Sequence, residues 1–101
     1  MRLLMNVKIP HEPFNTLLKK GRVGEIIQEI IKDLQPESIY FTEQGGSRGA
    51  VAIVNIENES KIPSLSEPFF LNFNADCEFR VVMSPEDLVN ARLEELGRKW
   101  G

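Results

Sequence analysis

His11 is the only histidine in the chain and the first candidate for acid–base chemistry. It lies in segment 10–13 (PHEP), directly after a predicted strand, where a general base would lie at the edge of a sheet. The topology derived below brings this edge close to Glu43 and Arg48 of a hairpin and to Asp76 of the last strand. We therefore consider His11 and Glu43 as catalytic candidates and Arg48 as a substrate-binding residue. The simpler alternative is a solvated rim of turn residues, in which Arg48 pairs with Glu43 across the hairpin.

A second set of polar residues occupies alternate positions of the predicted strands. Arg80 is suited to an anionic substrate, because a guanidinium group forms paired hydrogen bonds with a carboxylate or phosphate. Asn6 and Tyr40 are expected to donate hydrogen bonds to the same substrate. We therefore predict Asn6, Tyr40 and Arg80 as further substrate-binding residues. The alternative for Arg80 is an ion pair at a dimer interface, either with Glu78 or with a carboxylate of the partner.

The cysteine content limits metal and redox chemistry. Cys77 is the only cysteine, so the chain can form neither an intramolecular disulfide nor a multi-thiolate metal site, and no metal site is predicted. Its neighbours place Cys77 on the helix-facing side of a strand, which favours a small buried hydrophobe over a nucleophile. Segment 44–47 (QGGS) lacks the spacing of a phosphate-binding loop and joins two strands, so it is interpreted as a turn.

Charge and hydropathy limit the classes of partner. The chain has 12 basic and 15 acidic residues and a formal net charge of −3, with the two signs mixed along its length. A nucleic-acid backbone requires a concentrated basic surface, so no nucleic-acid partner is expected. No apolar run approaches the roughly 18 residues that span a bilayer, and segment 1–6 becomes polar too early for a signal peptide. The expectation is a soluble cytoplasmic protein with no membrane partner.

Periodicity predicts the elements that position these residues. Apolar residues alternate along the first strand, and they recur at i, i+3 and i+4 along the clearest helix. Segment 84–87 (SPED) is typical of a helix start, and Gly97 is expected to end that helix. The predicted elements are a strand at Leu3–Ile9, helical turns around Phe14–Leu18, a helix at Val23–Leu34, strands at Ser38–Glu43 and Gly49–Ile56, a short helix near Ile62–Leu71, a polar connector over 72–76, a strand at Cys77–Met83 and a helix from Ser84 to about Leu96.

This order predicts an α+β fold of ferredoxin-like βαββαβ type, with a four-stranded antiparallel sheet and an extra C-terminal helix in one domain, 1–101. Two helices cover one face of the sheet and leave the other uncovered. We assign Val51 and Ile53 to the helix side, and Ala50 and Ala52 to the uncovered face. Because that face would be mixed in polarity and roomy, we expect a second copy to stack its sheet on it around a shared cavity.

Three stretches carry a resemblance to a known family: YFTE (40–43), RGAVA (48–52) and EPFFLNFNADCEF (67–79). With the layout of the elements, they resemble the dimeric α+β barrel superfamily over nearly the whole chain. They are similar to a small set of uncharacterised bacterial proteins within it, and more distantly to muconolactone isomerase. The resemblance implies a homodimer or higher oligomer with a pocket between the sheet and its helices or partner. Members include isomerases, cofactor-free monooxygenases, haem-degrading and haem-peroxidase-type enzymes and proteins without known activity.

We therefore expect a homodimeric protein that binds a small anionic or carbonyl metabolite, as a metal-free isomerase- or monooxygenase-like enzyme. One alternative is a non-catalytic ligand-binding or accessory protein with the same pocket, and another is a structural dimer without a ligand. No catalytic residue of the resembled enzymes matches a motif in this chain. No cofactor is predicted, and the resemblance leaves haem open, for which His11 is the only imidazole ligand.

Overall fold

The computed structural model describes residues 1–101 and contains one four-stranded antiparallel sheet. The elements in chain order are β1 (Arg2–Ile9), α1 (Phe14–Lys19), α2 (Val23–Leu34), β2 (Ser38–Gln44), β3 (Ser47–Asn55), a 3₁₀ turn (Glu59–Lys61), α3 (Ile62–Phe73), β4 (Asp76–Val81), α4 (Pro85–Asn90) and α5 (Leu93–Trp100). The strand order is β2-β3-β1-β4, and each neighbouring pair is antiparallel. This order confirms the predicted α+β fold of ferredoxin-like type.

The core lies between one face of the sheet and the helices α2 and α3. Alternate residues of β1 point into it, and each is almost fully buried, as the predicted alternation requires. Phe69 and Phe73 of α3 and Ile30 of α2 cover this face from above. Burial of these apolar side chains is the main favourable contribution to folding. The buried apolar residues are Leu3, Met5, Val7, Ile9, Phe14, Val23, Ile30, Leu34, Ala50, Ala52, Val54, Ile56, Leu65, Phe69, Phe73 and Ala75.

The prediction for the orientation of β3 is wrong. Met5 of β1 pairs with Ala52, and the buried set of β3 is Ala50, Ala52 and Val54, so the alanines face the helices. The small residues fit there because the large rings of α3 pack into the same core. Val51 and Ile53 consequently lie on the uncovered face, which is more apolar and less roomy than the sequence suggested.

The predicted connector after α3 begins two residues later than expected. Helix α3 continues to Phe73 although Pro68 lies inside it, and the side chain of Asn72 donates a hydrogen bond to the Pro68 carbonyl oxygen at 2.8 Å. Asn74 ends the helix in the left-handed conformation, with φ of 54°. The following strand β4 ends at Val81 instead of the predicted Met83.

The predicted start of the C-terminal helix is confirmed, but its continuity is not. Ser84 and Asp87 form a reciprocal capping box, in which the Asp87 amide donates to Ser84 Oγ and the Ser84 amide donates to Asp87 Oδ2. The helix then stops, because Arg92 adopts the left-handed conformation at φ 55°, and a second helix begins at Leu93. Gly97 lies inside that second helix and does not end it.

Helices α4 and α5 extend away from the rest of the molecule, and we call Pro85–Trp100 the arm. Every residue of the arm is exposed. The radius of gyration is 17.2 Å, whereas a compact chain of this length has about 13 Å. None of the helices has the length and apolar composition that are needed to cross a membrane.

Candidate functional site

The face of the sheet opposite α2 and α3, which we call the open face, is a grid whose rows are set by the strand registers. Its centre is apolar, and polar residues flank the centre on both edge strands. The rows across β2, β3, β1 and β4 are Ser38, Ile53, Leu4 and Arg80; then Tyr40, Val51, Asn6 and Glu78; then Thr42, Gly49, Lys8 and Asp76.

A shallow hollow of about 310 Å³ lies on the β1–β4 side of the open face. It is lined by Leu4, Asn6, Glu78, Phe79 and Arg80, so it unites two of the predicted binding residues, Asn6 and Arg80. Arg80 is exposed and takes part in neither of the two ion pairs of the chain. The alternative prediction, an ion pair between Arg80 and Glu78 of the same chain, is not formed. The guanidinium of Arg80 is therefore free to bind an external anion.

The side chain of Asn6 is held in a defined orientation by Gln44. Asn6 Nδ2 donates to Gln44 Oε1 at 2.9 Å, and Gln44 Nε2 donates to Asn6 Oδ1 at 2.9 Å and to the Val7 carbonyl oxygen at 3.2 Å. Gln44 reaches Asn6 by crossing β3 at Gly49, where a Cβ would lie 2.8 Å from both Gln44 Nε2 and the Val7 oxygen. Since one N–H and one lone pair of the Asn6 amide remain unused, the residue still has hydrogen bonds to offer a ligand.

Sequence reasoning missed Gln44, because QGGS was interpreted only as a turn. A glycine inside a strand indicates a close approach of another group, and Gly49 was the available signal. That Gln44 is the residue which approaches Gly49 follows only from the register of β2, β3 and β1.

Tyr40 shares the open face with Asn6 but does not line the hollow. It lies on edge strand β2, two strand spacings from β1, which corresponds to about 10 Å. Its side chain is 72% exposed. A small molecule seated in the hollow beside Arg80 would therefore not contact Tyr40 within one chain.

Arg48 lies on the helix side of the sheet and not with Arg80. Its guanidinium carbon is 4.3 Å from the centroid of the Phe14 ring, and Nη1 donates to Asn15 Oδ1 at 2.8 Å. These contacts attach α1 to β3. Glu43 is opposite Arg48 in the register but forms no ion pair with it, and its carboxylate accepts a hydrogen bond from the Gly46 amide at 3.0 Å. Arg48 therefore contacts Phe14 and Asn15 and does not line the hollow that contains Arg80.

His11 lies at the opposite end of the sheet from the hollow. Arg80 pairs with Leu4, and Ile9 at the end of β1 lies five positions after Leu4, which corresponds to about 16 Å along the strand. His11 is exposed and lines none of the five hollows of the surface. One small molecule does not reach both His11 and Arg80 of the same chain.

The backbone segments that were expected to lie near His11 do share one end of the sheet. Ile9 pairs with Arg48, and Lys8 pairs with Asp76, so the end of β1, the β2–β3 hairpin and the start of β4 share one end of the sheet. Their side chains form no ion pair, and no group of three or more His, Cys, Asp or Glu residues is placed to bind a metal. Because no apolar cavity surrounds His11, the surroundings of this histidine do not fit haem within a single chain.

Arg2 and Glu37 form a cluster at the other end of the open face that sequence reasoning also missed. The Arg2 guanidinium donates through Nε and Nη2 to the Glu37 carboxylate at 3.0–3.1 Å, and the Asn55 amide donates to the same carboxylate. The hydrogen bonds with Arg2 lower the pKa of Glu37, and the same contact raises the pKa of Arg2. The cluster joins three segments of the chain. Arg2 and Glu37, for example, are 35 residues apart in the sequence.

The largest hollow of the surface, about 420 Å³, lies between α2 and α3, on the far side of the sheet from Arg80. Its floor includes Ile26 and Ile30, and its rim carries the carboxylates of Glu29, Asp33 and Glu67. The acidic rim does not suit the anionic ligand predicted from the sequence.

Cys77 is half-buried on the helix side of β4, as predicted. Burial, followed by the charge of Asp76, raises the pKa of the Cys77 thiol to about 11. The thiol is therefore protonated at neutral pH and is not an activated nucleophile.

The fold also has a likeness among solved structures. The chain is similar to the "De novo designed protein Ferredog-Diesel", with a TM-score of 0.46 and 15% identity over 80% of this chain and 85% of that chain. No protein-family model matches the chain, and no curated protein matches it.

Proposed function

We propose that the protein is a homodimeric small-molecule-binding protein that holds a small anionic metabolite on the open face. The observation that carries this proposal is Arg80, an exposed guanidinium without an ion pair, in a hollow beside the oriented amide of Asn6. A guanidinium binds a carboxylate through two parallel hydrogen bonds, and a neighbouring amide adds direction.

The lining of the hollow favours one class of anion. Leu4 offers an apolar surface, and Glu78 in the next row offers a hydrogen-bond acceptor close to Arg80. A ligand that carries a carboxylate together with a hydroxyl group satisfies both charged residues at once. We therefore propose small hydroxy carboxylates, in which the carboxylate contacts Arg80 and the hydroxyl donates to Glu78 and accepts from the Asn6 amide.

The homodimer is supported by the apolar centre of the open face. Leu4, Val51 and Ile53 are only partly covered in a single chain, and a contiguous apolar surface of this kind is typical of an interface. The resemblance of segments 40–43 and 67–79 to the dimeric α+β barrel superfamily supports the same assembly. The single free cysteine favours a cytoplasmic setting.

Binding without catalysis is the version that the geometry supports best. A general base must come within hydrogen-bond reach of the proton it removes, and His11 follows the end of β1 at Ile9, which is itself about 16 Å along the strand from Leu4, the partner of Arg80. An isomerase- or monooxygenase-like activity through His11 and Glu43 therefore remains the second candidate. If His11 is the general base, a His11→Ala protein should bind the substrate with unchanged affinity but should no longer convert it.

The test measures binding of small carboxylates by titration calorimetry to the wild-type chain and to Arg80→Gln. The matched control is Lys32→Gln, an equally exposed cation on α2, on the other side of the sheet. We expect the affinity of a hydroxy carboxylate to fall at least about tenfold in Arg80→Gln, as loss of a charge-assisted pair predicts, and to be unchanged in Lys32→Gln. Equal affinity of the two variants would show that the anion site is not at Arg80.

A further inference from the structure

We propose that the arm, Pro85–Trp100, is a dimerisation element that docks on the open face of a second copy of this chain. The inference rests on the proposed homodimer and names the part of the partner that covers the open face. It is independent of any ligand. The arm, and not the partner's sheet, then forms the roof over the hollow beside Arg80.

The arm has the composition of a docking helix. Leu93, Leu96 and Trp100 fall on one side of α5, and the charged residues fall on the other. Leu88 and Val89 of α4 continue this apolar side at the elbow between the two helices, where a hollow of about 240 Å³ opens. These five side chains are exposed, and Trp100 is 77% exposed. An isolated helix of this length is marginal in water, so contact with a partner stabilises it.

The surface area of the chain matches the requirement of a dimer. The accessible surface is 7207 Å², whereas a compact monomer of 11.5 kDa exposes about 5,800 Å². The excess is about 1,400 Å². A stable interface of standard size buries about 800 Å² on each partner. Docking the arm on a partner therefore removes enough surface, since in a two-fold pair each arm docks once and each open face receives one arm.

The connection between β4 and the arm directs the arm away from its own sheet. The Val82 amide donates to the Arg2 carbonyl oxygen at 3.1 Å, and the capping box of Ser84 and Asp87 follows directly. To reach its own open face, the arm would have to reverse direction within the short stretch between Val82, which is bonded to β1, and the start of α4. Docking on a second copy needs no such change, because the partner is brought to the extended arm.

The charges of the arm favour a protein surface over a lipid surface. The arm carries four acidic and three basic residues, so anionic headgroups do not attract it. The open face provides the apolar counterpart in the same chain, with Leu4, Val51 and Ile53 in its centre. The groove between α2 and α3 is less suitable, because its acidic rim repels the glutamates of the arm.

The first experiment measures the oligomeric state by sedimentation equilibrium and follows the emission of Trp100, the only tryptophan. We expect a dimer whose emission is blue-shifted and moves to the red on dilution, because docking buries the indole. Leu93→Glu should raise the dimer dissociation constant about 100-fold or more, since two-fold symmetry places the substitution in both docking sites. Arg98→Gln, on the charged side of the same helix, is the matched control and should leave the dimer intact.

The second experiment is a complementation test between two defective chains. Ile53→Lys has a blocked open face and an intact arm, whereas Leu93→Glu with Trp100→Phe has an intact open face and a blocked, fluorescence-silent arm. We expect each chain alone to be monomeric and their mixture to form a heterodimer in which the remaining tryptophan shifts to the blue. If circular dichroism shows that Ile53→Lys is unfolded, Tyr40→Glu at an exposed position of the same face takes its place.

Three results would overturn the proposal. A monomeric wild-type chain would exclude the docked dimer, and failure of the two folded variants to complement each other would indicate sheet stacking or arm-to-arm pairing. Loss of the dimer in Leu71→Lys, which lines the α2–α3 groove, but not in Ile53→Lys would place the arm in that groove. None of these measurements uses a carboxylate ligand, so the proposed anion site and the arm stand or fall separately.

Discussion

The two faces of the sheet are formed by the same four strands but are specified in different ways. On the helix side, position after position is filled by an apolar side chain that is almost fully buried, and small residues lie where the rings of α3 need space. On the open face, three apolar residues are surrounded by Arg80, Asn6 and other polar groups whose hydrogen-bonding capacity is only partly used. The helix side therefore stabilises the chain, whereas the open face keeps unused hydrogen-bonding groups and partly exposed apolar side chains.

Substitutions on the two faces should differ most in the free energy of unfolding. Phe73 is fully buried and packs 5.2 Å, centroid to centroid, from Phe14. Phe73→Ala should lower the free energy of unfolding by about 3–5 kcal/mol, because it removes a large side chain and leaves a cavity. Tyr40→Ala on the open face should cost less than about 1 kcal/mol. Denaturant unfolding checks both, and similar losses for the two variants would contradict the division between the faces.

The next effect tests the one place where the open face is packed tightly. Gly49→Ala would place a methyl group 2.8 Å from the Val7 carbonyl oxygen and from Gln44 Nε2, and the backbone atom cannot move aside freely. We expect a loss of about 1–3 kcal/mol, as overpacking predicts, together with a change in the amide resonances of Asn6. Gly24→Ala is the control, because Gly24 lies in the first turn of α2, its Cβ would meet nothing within 4 Å, and alanine there should stabilise the chain by less than about 1 kcal/mol.

Helix α2 and strand β1 could be predicted from the sequence because their polar and apolar residues repeat with the period of the element. Strand β3 could not be oriented in the same way, because residues 50–54 are apolar without interruption and show no alternation. Assigning the larger residues to the interior was then wrong, since the aromatic rings of α3 occupy the space that the alanines leave. The break at Arg92 carried no glycine or proline signal.

The candidate site was predictable only where it depends on single residues. Arg80 and Asn6 were identified as binding residues from their types and strand positions, and the register places them in one hollow. The hydrogen bonds between Asn6 and Gln44 join residues that are 38 positions apart. Arg48 faces the helix side because it pairs with Ile9, and only the register of β3 shows this pairing. Contacts over such distances follow from strand pairing and not from local pattern.

Arg48 on the helix side and Arg80 on the open face should differ in their contribution to stability. Arg48→Ala should lower the free energy of unfolding by about 1–2 kcal/mol, since it removes the contact with the Phe14 ring and the hydrogen bond to Asn15. Arg80→Ala should change stability by less than about 0.5 kcal/mol, because that side chain is exposed and has no ion pair. Thermal unfolding measures the first effect, and carboxylate titration measures the complementary loss in Arg80→Ala. A destabilised Arg80→Ala protein would assign Arg80 to the scaffold.

The smallest effect concerns Cys77, which is half-buried on the helix side of edge strand β4. Burial on the helix side raises the pKa of its thiol from 9.0 to about 11, so the folded chain disfavours the thiolate. The contribution of this residue to stability is therefore fully present below the ordinary pKa of 9.0 and is lost as the pH rises toward about 11, where the unfolded chain ionises first. We expect alkylation of the folded protein at neutral pH to be slower than alkylation of the unfolded chain, and the difference to shrink as the pH increases. Cys77→Ala should unfold with a weaker dependence on pH over this range. Rapid alkylation of the folded chain at neutral pH would instead show that solvent reaches the thiol on the helix side of edge strand β4.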